Sequence, residues 1–246
     1  MKKCIIITGA TSGIGKCLAH KLAGEQHNLI LIGRDGGKLV EMANELKSPC
    51  TLISADLADF DQLSALIKQL PSRIDGFVHA AGVESVEPLR LVNYKKFDYL
   101  MRLHLYSFVE IIKHIDKCKK KTDLYDTSVI AISSIASRAG GVGQTMYSSS
   151  KASLEAATKV LSKELSPKRI RINAIKPGII DTEMTRRWMR RIGLTDFSEV
   201  DKMQLNGAGK PEDVANLLSF LLSDDSRHIV GSEINIDGGG PAGKIF

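Results

Sequence analysis

The sequence is poor in aromatic residues, cysteines and long apolar runs, and each shortage excludes a class of protein. Aromatic residues make up 5% of the 246 positions, too few for the stacking surfaces that single-stranded nucleic acids need. No apolar run is long enough for a membrane span, and the first one ends at Ile7, too early for a signal peptide. The cysteines lack Cys-x-x-Cys spacing, which favours free thiols in a cytoplasmic protein: Cys4, Cys17, Cys50 and Cys118.

Charge of either sign is also modest. Lys and Arg number 34 against 28 Asp and Glu, a formal net charge of +6. The run "KCKKK", Lys117 to Lys121, lies at a predicted helix end, where cations oppose the helix dipole favourably. We expect this run to solubilise the surface rather than bind nucleic acid. No histidine stands at metal-ligand spacing from a cysteine or carboxylate cluster, so no catalytic metal is predicted.

Short apolar runs alternate with amphipathic stretches along the chain. The predicted strands are "KCIIIT", "NLILIG", "CTLISA", "DGFVHA", "SVIAIS", "RIRINAI" and "EINID". Helices are predicted at about 13–23, 37–47, 59–70, 94–118, 145–165 and 211–223. This order indicates βαβ units, and strands apolar throughout indicate a sheet covered on both faces. We therefore predict one α/β domain over residues 1–246, a doubly wound parallel sheet of about seven strands, with a substrate lid at about 183–208.

A glycine-rich loop joins the first strand to the first helix. In "TGATSGIG", the glycines at 9, 13 and 15 let the backbone approach a phosphate, and the helix N-terminus offers unpaired N–H groups to a pyrophosphate. The spacing G-x-x-x-G-x-G differs from the familiar G-x-G-x-x-G, and many glycine turns only close a tight corner. The strand before the loop and the helix after it favour dinucleotide binding.

The residues after the second and third strands bear on the choice of dinucleotide. Gly33 followed by Arg34 favours the 2′-phosphate of NADP(H) over the bare ribose of NAD(H). Two alternatives stay open: Asp35 is the ribose ligand, or Arg34 is a solvated turn residue. Asp56 is expected either to bond the adenine amino group or to cap the following helix.

Tyr147 and Lys151 are one turn apart on a predicted helix and share a face. Ser134 ends the fifth strand, so its hydroxyl and the phenol can converge on one substrate oxygen. Reduction of a carbonyl needs a proton, and a phenol with a pKa of about 10 donates poorly. A nearby ammonium, together with a nicotinamide's positive charge, lowers that pKa; about three units correspond to roughly 4 kcal/mol. A Tyr-x-x-x-Lys pair also occurs by chance, so the prediction depends on the serine and the glycine loop.

These motifs together resemble the short-chain dehydrogenase/reductase family in its single-domain, Rossmann-like form. The matches run from Thr8 to Gly239 and are "TGATSGIG", Asp56, "AAG" at 80–82, "SS" at 133–134, "YSSSK" at 147–151, "NAIKPG" at 173–178, "GKPEDVA" at 209–215 and "DGG" at 237–239. The resemblance implies sheet order 3-2-1-4-5-6-7 and a homodimer or homotetramer.

The resemblance also implies the residues of the site. Ser134, Tyr147 and Lys151 are the expected catalytic residues, with Lys151 also bonding the nicotinamide ribose. The backbone near 177–180 is expected to bond the carboxamide. The expected cofactor-binding set is Gly9, Thr11, Ser12, Gly13, Ile14, Gly15, Arg34, Asp56, Leu57, Ala81, Gly82, Tyr147, Lys151, Pro177, Gly178, Ile180 and Thr182.

The chain departs from the family pattern at two histidines. His79 stands where the family has the first asparagine of Asn-Asn-Ala-Gly, and His104 falls where an asparagine normally holds a water of the proton relay. Histidine can still donate, accept and carry a proton, so His104 is a candidate catalytic residue. The alternative is a buried structural histidine.

The resemblance implies an NADP(H)-dependent carbonyl reductase or alcohol dehydrogenase acting on a small molecule. A 3-oxoacyl thioester is the first substrate it suggests, while sugars, steroids and quinones stay open. The other hypothesis is a dinucleotide-binding sensor or scaffold without turnover. In the predicted lid, Arg186, Arg187, Arg190 and Arg191 either grip a phosphate or carboxylate or form a solvated helix face.

Overall fold

Seven parallel strands form one sheet, in the order β3-β2-β1-β4-β5-β6-β7. The structure is a computed structural model that describes residues 2–46, 48–201 and 204–240. The strands are β1 (Cys4–Thr8), β2 (Asn28–Gly33), β3 (Cys50–Ser54), β4 (Gly76–His79), β5 (Thr127–Ile132), β6 (Ile170–Pro177) and β7 (Glu233–Ile236). The predicted doubly wound sheet and its strand order are confirmed.

Helices cover both faces of the sheet. Within the described residues they are α1 (Gly13–Gly24), α2 (Gly36–Leu46), α3 (Phe60–Ile67), α4 (Tyr94–Met101), α5 (Ser107–Cys118), α6 (Ala136–Ala139), α7 (Thr145–Leu165), α8 (Glu183–Arg191), α9 (Ser198–Asp201) and α10 (Pro211–Leu222). The long helix predicted from Tyr94 to Cys118 is not uniform, because a π-helical turn at Arg102–Tyr106 separates α4 from α5. Helices α6 and α9 were not predicted, whereas α8 contains the four arginines for which a helix face was one of the two alternatives.

Two apolar cores lie on opposite faces of the sheet. The alternating direction of side chains along a strand sends Ile5 and Ile7 to the face where Leu18 and Leu218 pack, and all four are fully buried. Ile6 faces the other layer, with Phe108 and Leu154. Because both faces are covered, β1 is apolar at every interior position, which is the pattern the sequence showed.

Lys119 departs from the expectation for the lysine run. Its side chain is 3% exposed, and its ammonium donates to the carbonyl of Tyr125 at 2.5 Å and to Thr127 Oγ1 at 3.1 Å. The expectation that the whole run solubilises the surface is therefore wrong at this position. Burial lowers the pKa of Lys119 to about 8.

The described helices include none that is long and apolar enough to cross a membrane.

The carboxyl ends of the strands define where ligands can bind. In a doubly wound parallel sheet, the crevice opens beyond the carboxyl ends of the strands at the switch point, here between β1 and β4. The loops that follow β1, β4, β5 and β6 meet at this edge.

Candidate active site

The loop after β1 has a shape that only glycine permits. Gly9 has φ +65°, and a Cβ placed there would lie 2.9 Å from the carbonyl oxygen of Ala80. A Cβ on Gly15 would lie 2.3 Å from the carbonyl oxygen of Gly9. Ser12 precedes α1 without a side-chain capping bond, so the first N–H groups of the helix face the loop. These features fit a pyrophosphate at this helix N-terminus.

The residues that follow β2 have different surroundings. Arg34 is exposed, and its guanidinium donates to the hydroxyl of Tyr99 at 3.1 Å. The carboxylate of Asp35 instead accepts the backbone N–H of Lys38 at 3.1 Å, so it caps the start of α2. Thr11 lies next to this strand end, since a Cβ on Gly33 would be 3.1 Å from its methyl group.

Asp56 does not cap the helix that follows it. Its Oδ1 accepts the N–H of Ala58 at 2.9 Å, whereas Asp59 is the N-cap of α3 and accepts from the N–H groups of Asp61 and Gln62. The capping alternative for Asp56 is therefore wrong, because α3 begins three residues later than that alternative requires. Leu57 is buried, with 3% of the residue exposed.

Ser134, Tyr147 and Lys151 come together at the crevice. Ser134 follows β5, and its Oγ accepts the N–H of Ala136 at 3.2 Å. Its side chain lies close enough to the phenol of Tyr147 on α7 to lower the pKa of that phenol, and both residues line one cleft. Lys151 lies one turn further along α7, 5% exposed, with its ammonium 2.8 Å from the carbonyl oxygen of Ile132 and 5.9 Å from the centre of the Tyr147 ring. A Cβ on Gly82 would be 3.5 Å from that ammonium, so the loop after β4 closes the other side.

The electrostatics of this group differ from the sequence expectation. Burial raises the pKa of Tyr147 above its ordinary value, the nearby Ser134 side chain lowers it, and the charge of Glu84 raises it further. Burial also lowers the pKa of Lys151 to about 8, against the pull of Glu155. The protein's own residues thus do not produce the expected fall in the phenol pKa, because desolvation of the phenolate dominates. The expectation had also counted the nicotinamide charge.

His104 lies in the π-helical turn, fully buried, with both ring nitrogens engaged. Its Nε2 accepts the N–H of Val83 at 3.2 Å, so the proton is on Nδ1, which donates to Ser150 Oγ at 2.8 Å. Ser150 Oγ donates in turn to the carbonyl of Tyr147 at 2.7 Å. Burial holds the pKa of His104 well below its ordinary value, so the ring is neutral.

The second unusual histidine, His79, is bonded to the same turn. Ala81 N–H donates to Thr8 Oγ1 at 3.1 Å, which leaves the Thr8 hydroxyl to donate to His79 Nδ1 at 3.1 Å. Nε2–H then donates to the carbonyl of Leu103 at 3.1 Å. Burial lowers the pKa of His79 to about 3, so this ring is neutral as well. The two histidines therefore join β1, β4 and the π-helical turn through buried hydrogen bonds.

The segment after β6 forms the far wall of the crevice. A Cβ on Gly13 would lie 3.3 Å from the methyl of Thr182, so Thr182 lies next to the glycine loop. Gln204, 3% exposed, accepts the N–H of Ile179 at 2.8 Å and lies 2.6 Å from a Cβ position on Gly178. The sequence analysis did not single out Gln204, because a polar residue in a polar loop gives no sign that its side chain is buried against β6.

A cleft of about 120 Å³, open to solvent, lies in front of Ser134 and Tyr147. The predicted lid, residues 183–208, contributes part of its wall, although Lys202 and Met203 lie outside the described residues. Residues that line the cleft include Glu84, Ser134, Ile135, Gln144, Tyr147, Ile179, Met184, Thr185 and Trp188.

Three of the four lid arginines are already paired with acids. Arg186 makes two bonds to Asp181, at 2.7 and 2.6 Å, and Arg191 donates to Glu84 at 2.7 Å. Arg190 contacts Glu183 at 3.3 Å. This pairing favours an ion-paired helix face over the anion-gripping alternative, because each acid neutralises charge that an anion would need.

Comparison with known proteins identifies the class to which this fold and this site belong. The family profile described as Enoyl-(Acyl carrier protein) reductase matches residues 9–240. The chain belongs to the short-chain dehydrogenase/reductase family, and it is a nicotinamide-dependent oxidoreductase that acts on carbonyl or hydroxyl groups. The family resemblance expected from the motifs is confirmed.

Particular relatives refine the comparison. The chain is 34% identical over 237 residues to the 3-oxoacyl-[acyl-carrier-protein] reductase FabG of Rickettsia felis, covering 96% of both chains. The L-sorbose reductase of Gluconobacter frateurii, solved with NADPH and L-sorbose, has a TM-score of 0.88 at 26% identity and coverage of 97% and 96%. A 4-hydroxyisoleucine dehydrogenase solved with NADH has a TM-score of 0.89 at 27% identity, covering 99% of this chain and 100% of that one.

Proposed function

We propose that this protein is an NADP(H)-dependent carbonyl reductase or alcohol dehydrogenase in which Ser134, Tyr147 and Lys151 are the catalytic residues. One observation carries the proposal. Ser134 and Tyr147 line the same cleft, and the ammonium of Lys151, one turn along α7 from Tyr147, is bonded to the carbonyl of Ile132. Two donors aimed at one point suit an oxygen that gains negative charge during reduction.

Each residue has a distinct task in this proposal. When bound, the nicotinamide supplies or accepts the hydride. Ser134 holds the carbonyl oxygen, and Tyr147 delivers or removes the proton at that oxygen. Lys151 donates one N–H to the carbonyl of Ile132, and its remaining N–H groups would serve a ribose hydroxyl and the phenol. His104 acts by position rather than by carrying a proton, since neither ring nitrogen is free.

Preference for NADP(H) is the finer part of the proposal. Support comes from the exposed Arg34 at the end of β2 and from Asp35, whose carboxylate is engaged in capping α2 and is not directed to a ribose. A guanidinium binds a phosphate through paired N–H groups. The relatives leave the choice open, because one was solved with NADPH and another with NADH.

The remaining cofactor-binding set is proposed on position. The glycine loop with Thr11, Ser12 and Ile14 would hold the pyrophosphate, and Asp56 and Leu57 would contact the adenine. Ala81 and Gly82 would lie beside the nicotinamide ribose, and Pro177, Gly178, Ile180 and Thr182 would hold the carboxamide side.

The decisive experiment follows NADPH oxidation with a panel of ketones in wild type and in Tyr147→Phe. We expect turnover in the wild type and a loss of about a hundredfold or more in the variant, the scale of general acid catalysis. NADPH binding should be retained, since the phenol is not a main binding contact. If wild type and variant are equally inert while both bind NADPH, the protein is instead a dinucleotide-binding sensor or scaffold.

Cofactor preference is tested with Arg34→Ala, using Arg227→Ala as a control on the exposed surface. Loss of a charge-assisted bond to the 2′-phosphate is expected to weaken NADPH binding by about tenfold or more and leave NADH binding unchanged. Unchanged NADPH affinity would show that Arg34 is a solvated turn residue.

The substrate panel includes an acyl thioester, because the FabG relative is a 3-oxoacyl-[acyl-carrier-protein] reductase by name. A single-domain chain, cytoplasmic location and a homodimer or homotetramer are part of the same proposal. Support for oligomerisation is limited to exposed apolar side chains on helices, such as Val160 at 62% exposed. Light scattering on the purified protein measures the oligomeric state.

A further inference from the structure

A buried carboxylate lies on α7 one turn beyond Lys151. Glu155 is 6% exposed, and a buried charge is unfavourable unless it is paired and hydrogen bonded. The residue is not among those that line the cleft in the described part of the chain. Any effect of Glu155 on a reaction in the cleft is therefore exerted through its neighbours.

Two serine hydroxyls approach one oxygen of this carboxylate. Oε1 of Glu155 lies 2.6 Å from Ser133 Oγ and 2.5 Å from Ser137 Oγ. Ser133 follows β5 and Ser137 lies in α6, so the two serines stand on either side of Ser134 in the chain. The carbonyl of Ser134 accepts the N–H of Ser137 at 3.1 Å. Hydrogen bonds to a carboxylate are among the strong ones, so Glu155 fixes the segment that carries Ser134 against α7.

The same carboxylate acts on Lys151. The two side chains are four residues apart on α7 and therefore share a face. Burial lowers the pKa of Lys151 to about 8, and the negative charge of Glu155 opposes that fall. His79 and His104 also interact electrostatically with Lys151, but burial lowers the pKa of each ring and keeps it neutral. Tyr147, one turn before Lys151, is an uncharged phenol because burial raises its pKa.

The other oxygen of Glu155 faces an arginine of α6. Arg138 Nε lies 3.9 Å from Oε2, and the same guanidinium is paired with Glu233 of β7. The side chain of Arg138 is 60% exposed, and a long ion pair to an exposed group contributes little. The serine hydroxyls are therefore the main contacts through which Glu155 holds α6, a helix that lines the cleft.

We infer that Glu155 is a positioning residue for the proposed reaction, which bonds the serines on both sides of Ser134 and places a negative charge one helical turn from Lys151. The inference rests on the proposed function, because it takes Ser134 and Lys151 as catalytic residues. Glu155 itself touches neither substrate nor cofactor, and its two actions fix where the Ser134 hydroxyl lies and how firmly Lys151 holds its proton.

A set of variants separates the two actions. Glu155→Leu removes both the charge and the acceptor, whereas Glu155→Gln removes the charge and keeps an oxygen that the serine hydroxyls can bond. The double variant Ser133→Ala/Ser137→Ala keeps the charge and removes the hydroxyls. Glu164→Gln is the matched control, since Glu164 is an exposed acid on the same helix. The melting temperature of each variant shows whether it is folded.

Kinetics are followed as NADPH oxidation with a ketone that the wild type reduces, over a range of pH. We expect kcat to fall by about tenfold to a hundredfold in Glu155→Leu and in the double serine variant, the effect of misplacing a reacting group. Adding both serine substitutions to Glu155→Leu should lower kcat no further, because they act through the same carboxylate. Unchanged kcat in Glu155→Leu, or losses that simply add, would overturn the inference.

The pH profile reports the action on Lys151. In Glu155→Gln, kcat should be close to that of the wild type at acidic pH, and its alkaline limb should lie at lower pH, because Lys151 loses its proton more readily without the negative charge. The limb should not move in the double serine variant or in Glu164→Gln. A limb that Glu155→Gln leaves in place contradicts the inference. If Glu155→Leu does not fold, Glu155→Gln and the double serine variant decide.

Unfolding measurements separate this inference from the proposed function, because they need no turnover. The Lys151 proton leaves the folded chain near pH 8 and the unfolded chain near 10.5, so the free energy of unfolding rises with pH over that window. In Glu155→Gln the rise should begin at lower pH. If no ketone is reduced but the rise begins earlier, the proposed function fails and the action of Glu155 on Lys151 stands. If the rise does not move, that action fails.

Discussion

Replacing His104 by leucine tests whether this histidine acts by position or carries a proton. Leucine has a similar size, so little cavity forms, but two hydrogen bonds are lost. Val83 N–H is left without its acceptor, while Ser150 Oγ keeps its bond to the carbonyl of Tyr147. An unsatisfied buried donor costs about 1–3 kcal/mol and a lost hydrogen bond about 1 kcal/mol, so we expect roughly 2–4 kcal/mol of lost unfolding free energy.

Urea denaturation measures this loss, and His20→Leu is the control because His20 is exposed and bonded only to Glu45 at the surface. The control should change the free energy of unfolding by less than about 1 kcal/mol. In the positioning interpretation, His104→Asn restores part of both stability and kcat, and Ser150→Ala lowers kcat in the same direction. A large fall in kcat for His104→Leu with an unchanged denaturation midpoint would refute the reasoning and show that the ring relays a proton.

Two further predictions concern the glycine loop and the buried lysine. Gly15→Ala places a Cβ 2.3 Å from the carbonyl of Gly9, and the loss of about two phosphate hydrogen bonds should weaken NADPH binding roughly a hundredfold in a titration. The control Gly24→Ala should bind NADPH normally, because nothing lies within 4 Å of its Cβ. Equal NADPH affinities of the two variants would contradict a pyrophosphate site at the glycine loop. The folded chain releases the Lys151 proton near pH 8 while the unfolded chain keeps it to about 10.5, so this group favours folding increasingly as pH rises, by up to about 3 kcal/mol. In Lys151→Met, the free energy of unfolding should rise less with pH than in the wild type. If the curves of unfolding free energy against pH run parallel for the two proteins, the lowered pKa is not that of Lys151.

Several features of the fold could be predicted because they depend on local pattern. The strands covered on both faces are apolar throughout, and α7 begins at Thr145 and ends at Leu165, as predicted, since its periodic pattern is long. The π-helical turn could not be predicted, because it depends on bonds from His104 and His79 to residues distant in the chain. The helices α6 and α9 were missed because four residues each carry little periodic signal.

For the site, as for the fold, the sequence predicted which residue types are present but not the environment of each side chain. The motifs located the glycine loop, Ser134 and the Tyr147–Lys151 pair, since each requires particular residue types at particular spacings. They did not predict that burial raises the pKa of Tyr147. A pKa depends on how much water is excluded and on which charges lie nearby, and here one of those charges is Glu84, which is 63 positions away in the chain.

The sequence by itself determined the order of the strands and helices and the chemical groups available at the edge of the sheet, because hydrophobic periodicity and motif spacing are local properties. Only the tertiary structure decided which of those groups are neutral and which are already paired. Hydrogen bonding and desolvation act between residues that folding brings together. For that reason the reaction class followed from motifs, while the raised pKa of Tyr147 and the pairing of the lid arginines with acids required the three-dimensional structure.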